Sequence, residues 1–128
     1  MVNTHKKIDE RFSGEVVEKS QGYAKVLLKT SEEMLADQEG LIHGGFTFSA
    51  ADYAAMVAVN EPNVVLLGAD VKFMAPVKLG DSVEFIAKVK SAEGRKAVVD
   101  VVATVAEKEV FSGLFTTYTT KEHILSPS

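Results

Sequence analysis

Asp52 stands in the middle of an apolar stretch, Gly40-Leu41-Ile42-His43-Gly44-Gly45-Phe46-Thr47-Phe48-Ser49-Ala50-Ala51-Asp52-Tyr53-Ala54-Ala55-Met56-Val57-Ala58-Val59-Asn60. A carboxylate seldom sits among apolar neighbours without a partner or a task. Its chemistry there is that of a general base, or of a nucleophile toward an acyl carbon. Upstream, Gly44-Gly45 lets the backbone turn sharply and approach another group closely. Residues 46–61 contain neither Gly nor Pro and read as helix, which makes the glycine pair a helix entrance. The unpaired N–H groups and positive dipole end at such an entrance favour a developing oxyanion, so the Gly44 N–H is a candidate for polarising a carbonyl. Both features also have a plainer counterpart. His-Gly-Gly is a common loop tripeptide, and a mid-helix Asp is often simply solvated or hydrogen-bonded.

The elements around this stretch must position it. The helix is Ala-rich and apolar nearly all round, the pattern of a core helix wrapped by other elements. Before it, Phe12 to Glu18 and Tyr23 to Lys29 are β-rich runs separated by Ser20-Gln21-Gly22, a hairpin pattern. Ser31-Glu32-Glu33-Met34 opens on a good N-cap and predicts a short helical turn. Pro62 predicts that the helix ends near Asn60. Beyond it, Val64 to Met74 is a β-prone run in which Gly68 marks a bulge or a close approach. Ala75 to Asp81 breaks the pattern, and Val83 to Lys90 alternates like a strand with one wet face. Ala92 to Lys96 is a turn, and Ala97 to Ala106 and Glu109 to Thr119 are two more strands joined by Glu107-Lys108. Two strands, one long helix and about four strands make an α+β fold, a curved antiparallel sheet of about six strands around one central helix. One helix cannot cover such a sheet, so a second copy is expected to bury what remains.

Composition narrows the function classes. The chain has 128 residues, a size for one domain over residues 1–128, with polar tails at about 1–10 and 121–128. Fourteen basic and 18 acidic side chains give a net charge of −4, which argues against nonspecific binding to nucleic acid or to an anionic membrane. The absence of cysteine removes disulfides, thiolate metal sites and a Cys nucleophile, and agrees with a reducing compartment. No apolar signal segment or bilayer-spanning run is present, so a cytoplasmic location is the default expectation.

His43-Gly44-Gly45 followed by Phe48-Ser49-Ala50-Ala51-Asp52, then Val71-Lys72-Phe73-Met74-Ala75-Pro76-Val77-Lys78-Leu79-Gly80-Asp81, then Gly94-Arg95, occur in this order. Over roughly residues 12 to 120 the chain resembles the hotdog-fold acyl-CoA thioesterases, specifically the PaaI-like branch of the 4-hydroxybenzoyl-CoA thioesterase superfamily. The resemblance implies that Gly44 N–H holds the thioester oxygen, that Asp52 is the catalytic carboxylate and that His43 shapes the loop. It implies a homodimer or homotetramer in which the carboxylate and the oxyanion donor belong to different subunits. Arg95 and Lys96 fall where basic residues meet the phosphates of coenzyme A; their plainer role is a solvated hairpin tip. Gly45 joins the substrate-binding loop, and Phe73 and Met74 are either core or the lining of an acyl tunnel. Two positions depart from the pattern. Asp37 stands where the family often has an Asn that holds substrate or water, and Leu66 replaces a small hydroxyl carried by some relatives.

Other chemistries fit less well. The histidines His5, His43 and His123 are scattered, so no metal site is expected, and no cofactor is implied beyond coenzyme A as part of the substrate. A Ser49, His43 and Asp52 triad lacks a nucleophile elbow. A hydratase of acyl thioesters would require an acid-base His pairing that is absent here. The remaining alternative is a hotdog protein that binds or senses acyl-CoA without turning it over.

Overall fold

The computed structural model describes residues 1–126; Pro127 and Ser128, the end of the expected C-terminal tail, lie outside the described residues. A short helix α1 (Glu10–Ser13) precedes strands β1 (Glu15–Ser20) and β2 (Tyr23–Lys29). The long helix α2 (Gly44–Val59) follows, then β3 (Val64–Phe73), β4 (Ser82–Glu93), β5 (Lys96–Val105) and β6 (Lys108–Thr119). All strand pairs are antiparallel, in the order β1-β2-β4-β5-β6-β3, so β1 and β3 are the edges. The fold expected from the sequence, six strands curved around one helix, is the fold observed.

Alternation explains how the sheet finds the helix. On the central strands Val26, Phe85, Val101 and Phe115 point inward and are fully buried. They meet the helix at Ala50, Ala54 and Val57, also fully buried. The small alanines let the sheet close tightly on the face of α2 that it covers.

Three boundaries differ from expectation, each for a local reason. Phe12 and Ser13, expected in the first strand, belong to α1, because the Asp9 side chain accepts from Arg11 N–H at 3.0 Å and caps a helical turn. Gly14 ends that turn at φ 86°, and a β-carbon there would lie 2.5 Å from Val26 Cγ1. The β4–β5 turn narrows to Gly94-Arg95, since Glu93 pairs with Lys96. The β5–β6 turn falls one residue early, at Ala106-Glu107, and holds both residues at positive φ (47° and 70°). The bulge expected near Gly68 is present, with Leu66 opposite Thr117 and Gly68 opposite Thr116, leaving Leu67 unpaired and exposed. The expected helical turn also forms, as a 3-10 helix over Glu32–Met34.

The first residues pack rather than trail. Asn3 N–H donates to Asn60 Oδ1 at 2.7 Å, Asn60 Nδ2 donates to Met1 O at 2.9 Å, and Thr4 is buried. They clamp the C-terminal end of α2, where Asn60 adopts the left-handed conformation (φ 56°) and donates its N–H to Met56 O.

Candidate active site

The segment before α2 is stitched in from both sides. His43 N–H donates to Met34 O, Ile42 N–H to Val77 O and Ala36 N–H to Leu41 O. Leu41 and Lys78, and Leu35 and Ile42, form isolated β-bridges. This short ribbon fixes where the helix starts. His43 is its N-cap residue but makes no capping hydrogen bond with its side chain, and the first turn carries no acidic residue. Phe46 N–H donates back to His43 O at 3.1 Å, which leaves the Gly44 and Gly45 N–H groups, the first two of α2, without an intrahelical acceptor.

The glycines matter here for space. A β-carbon on Gly45 would lie 2.9 Å from His43 Nε2, because the imidazole folds back over that residue. The same ring meets Phe46 edge-on, with centroids 6.1 Å apart. A β-carbon on Gly44 would lie 3.3 Å from Phe73 Cε2. Gly44, Phe73 and Met74 thus come together at one cavity of about 390 Å³. Leu41, Thr47, Val77 and Val110 are among its other lining residues, and none of them was assigned to a site from the sequence.

Asp52 lies on the side of α2 that the protein's own sheet leaves partly open, in a stripe with Gly45, Phe48 and Ser49. Its Oδ1 is buried and has no hydrogen-bond partner. Burial pushes the carboxyl up from 3.8 to about 6, because the ionised form loses solvent without gaining a donor. Next to this stripe, Ser13 Oγ and Ser49 Oγ share a 2.7 Å hydrogen bond that ties α1 to α2. Phe12 packs against Phe46 in the same corner, with centroids 5.7 Å apart.

The other expected site residues lie elsewhere. Asp37 is exposed and its Oδ1 accepts from Glu39 N–H at 2.9 Å and Leu41 N–H at 3.2 Å, so its side chain holds its own loop together. Arg95 and Lys96 border a larger cavity, about 520 Å³, at the opposite end of α2 beside Ala58 and Val59. Arg95 Nη1 donates to Thr119 O at 3.1 Å, and Lys96 is exposed. Leu66 is paired with Thr117 on β3. Among the described residues no group of three or more His, Cys, Asp or Glu could hold a metal ion, and no helix is long and apolar enough to cross a membrane.

A family model described as the thioesterase superfamily matches residues 39–111, the span from the loop before α2 into β6. Over 116 residues the chain is 53% identical to a protein of Aquifex aeolicus named methylthioribose-1-phosphate isomerase, covering 91% of this chain and 25% of that protein. It is 29% identical over 113 residues to the transcription factor FapR of Caldanaerobacter subterraneus, covering 88% and 56% of the two chains. The chain therefore spans only about a quarter to a half of these relatives. Among solved structures, the uncharacterized protein PH1136 of Pyrococcus horikoshii superposes with a TM-score of 0.97 at 44% identity, over 98% and 97% of the chains. A mutant of the phenylacetic acid degradation protein PaaI of Thermus thermophilus superposes with a TM-score of 0.79 at 26% identity, over 87% and 96%. The chain belongs to the thioesterase superfamily and has its hotdog fold.

Proposed function

We propose that the protein hydrolyses the thioester of a small or medium acyl-CoA, with Asp52 as general base or nucleophile and the Gly44 N–H as oxyanion donor. The observation that carries this reading is the buried Asp52 Oδ1, without a hydrogen-bond partner among the described residues, on the open stripe of α2 in a chain of the thioesterase superfamily. A carboxyl that titrates near 6 is ionised at neutral pH yet still basic enough to take a proton from water.

Asp52 and Gly44 are eight positions apart on one helix, about 12 Å along its axis at 1.5 Å per residue. One thioester carbonyl must be within about 3 Å of both groups, so a single chain does not complete the site. Asp52 and Gly45 share a helix face, and a second α2 running antiparallel over that face brings Asp52 of one chain to Gly44 of the other. A homodimer, or a homotetramer built from it, is thus part of the mechanism. Asp37 supports this by setting the loop that aims the helix entrance, and His43 by packing over Gly45. Arg95 and Lys96 are assigned to the coenzyme A phosphates. No metal or redox group is needed.

Asp52→Asn keeps shape and removes basicity. Turnover of acyl-CoA should fall by at least about a hundredfold with folding intact. Unchanged turnover would refute the assignment.

A second reading, acyl-CoA binding or sensing without turnover, is favoured by the relatives named as transcription factors, in which this module is about half of a longer protein. Tight binding of acyl-CoA with thiol release no faster than in buffer would put it ahead.

A further inference from the structure

The cavity at the entrance of α2 differs from every other part of the candidate site in having no charged side chain on its walls. Thr47 is the polar side chain there, and it is buried. Phe73 is 55% exposed yet firmly seated. Its ring meets the fully buried Phe111 edge-on at 5.1 Å, and its other side closes on the first residue of α2. Just beyond, Met74 and Ala75 N–H both donate to Val110 O, so the chain leaves the β3 ladder and bends around the cavity while still held by β6. Phe73 is therefore a fixed aromatic wall between the helix N–H groups and the apolar space.

We propose that this cavity holds the acyl group, that it selects uncharged, apolar acyl groups of medium length, up to about a dozen carbons, and that Phe73 sets that limit. The proposal rests on the acyl-CoA reading above. Size and polarity carry it. A volume of 390 Å³ holds about a dozen water-sized groups at about 30 Å³ each, a share that already includes packing voids. A carboxylate at the far end of the acyl chain would enter a space without a charged partner, which is strongly unfavourable.

The test compares acetyl-, hexanoyl-, octanoyl-, palmitoyl- and glutaryl-CoA, both as hydrolysed esters and as unreactive thioether analogues titrated by calorimetry. Hexanoyl- and octanoyl-CoA should exceed glutaryl-CoA in kcat/KM by at least about a hundredfold and acetyl-CoA by at least about tenfold, and the thioethers should rank the same way in affinity. Phe73→Ala should move the optimum to longer chains and Phe73→Trp to shorter ones; Phe73→Leu reads the first shift if the alanine variant does not fold. Glutaryl-CoA within about threefold of hexanoyl-CoA, or Phe73 variants that keep the parent's order of chain lengths, would overturn the proposal. If no ester is hydrolysed, the thioesterase reading fails on its own. The thioether ranking then still decides the pocket: the expected order upholds it and a flat order refutes it.

Discussion

The two ends of α2 are built to opposite standards. At the C-terminal end Asn60 takes the left-handed conformation, its N–H closes on Met56 O, and both halves of its side-chain amide are engaged by the first residues of the chain. At the N-terminal end the side chain of the cap residue makes no capping bond, the first turn has no carboxylate to meet the dipole, and an apolar cavity opens beside the Gly44 N–H. Two turns further on, a buried carboxylate oxygen has no donor. Unmet polar groups are unfavourable for folding, and their presence in the first half of an otherwise well-packed helix is what the proposed site rests on.

Substitutions at the two ends should therefore separate activity from stability. The largest effect is the loss of turnover in Asp52→Asn, and it should come with a gain in stability. Between the carboxyl's ordinary 3.8 and its folded value of about 6 the native state binds more protons than the unfolded chain, so stability falls as pH rises through that window and the loss is complete above it. Asn carries no such penalty. Denaturant unfolding should show Asp52→Asn more stable than the parent by about 1–2 kcal/mol at pH 8, with the difference gone below pH of about 4. Equal stability at both pH values would mean that the carboxylate is not held uncompensated.

At the finished end the pattern reverses. Asn60→Ala loses the side-chain clamp and replaces a residue that tolerates the left-handed region by one that does not, which should cost about 1–2 kcal/mol in chemical denaturation. Asn60→Gly should recover part of it, because only the clamp is lost. Neither variant should change kcat/KM at a temperature where both are folded; a proportional loss of activity would join the two ends functionally.

Smaller still is the response expected at the β4–β5 turn. Arg95→Ala with Lys96→Ala should raise KM for acyl-CoA a few-fold at low salt and leave kcat nearly unchanged, with the difference shrinking as salt is added. Unaltered affinity at low ionic strength would reduce the pair to a solvated hairpin tip. Arg95 is already bonded to Thr119 O, so Lys96 is expected to carry most of the effect.

The fold was legible because its signals are local and repeated. β-Prone runs in β2 and β5, period-two alternation in β4 and an Ala-rich run bounded by Gly44-Gly45 and Pro62 define the sheet and the helix it wraps. Asp52 stood out for the same reason, as one charge in an apolar run. The misplaced boundaries reflect competition between weak signals. The Asp9 cap and Gly14 outweighed the β propensity of Phe12, and strand twist imposed positive φ at Ala106-Glu107 although neither residue favours it. Which residues from afar share a cavity with Gly44 was not legible, because Val77 and Val110 arrive from segments distant in the chain, the first held by the hydrogen bond from Ile42 N–H to Val77 O. The divergent position of Asp37 was visible, but that its oxygen would be occupied by Glu39 and Leu41 N–H depends on loop geometry.

The central claim, that Asp52 is the titrating group whose charge drives thioester cleavage, is tested most directly by the pH dependence of kcat/KM. In the parent the rate should rise with pH as the carboxyl ionises, reach half its plateau near its folded value of about 6, and level off at neutral pH. Asp52→Asn should lack that limb at every rate it retains. A profile in the parent that stays flat between about pH 5 and 7, or the same limb persisting in Asp52→Asn, would contradict the account.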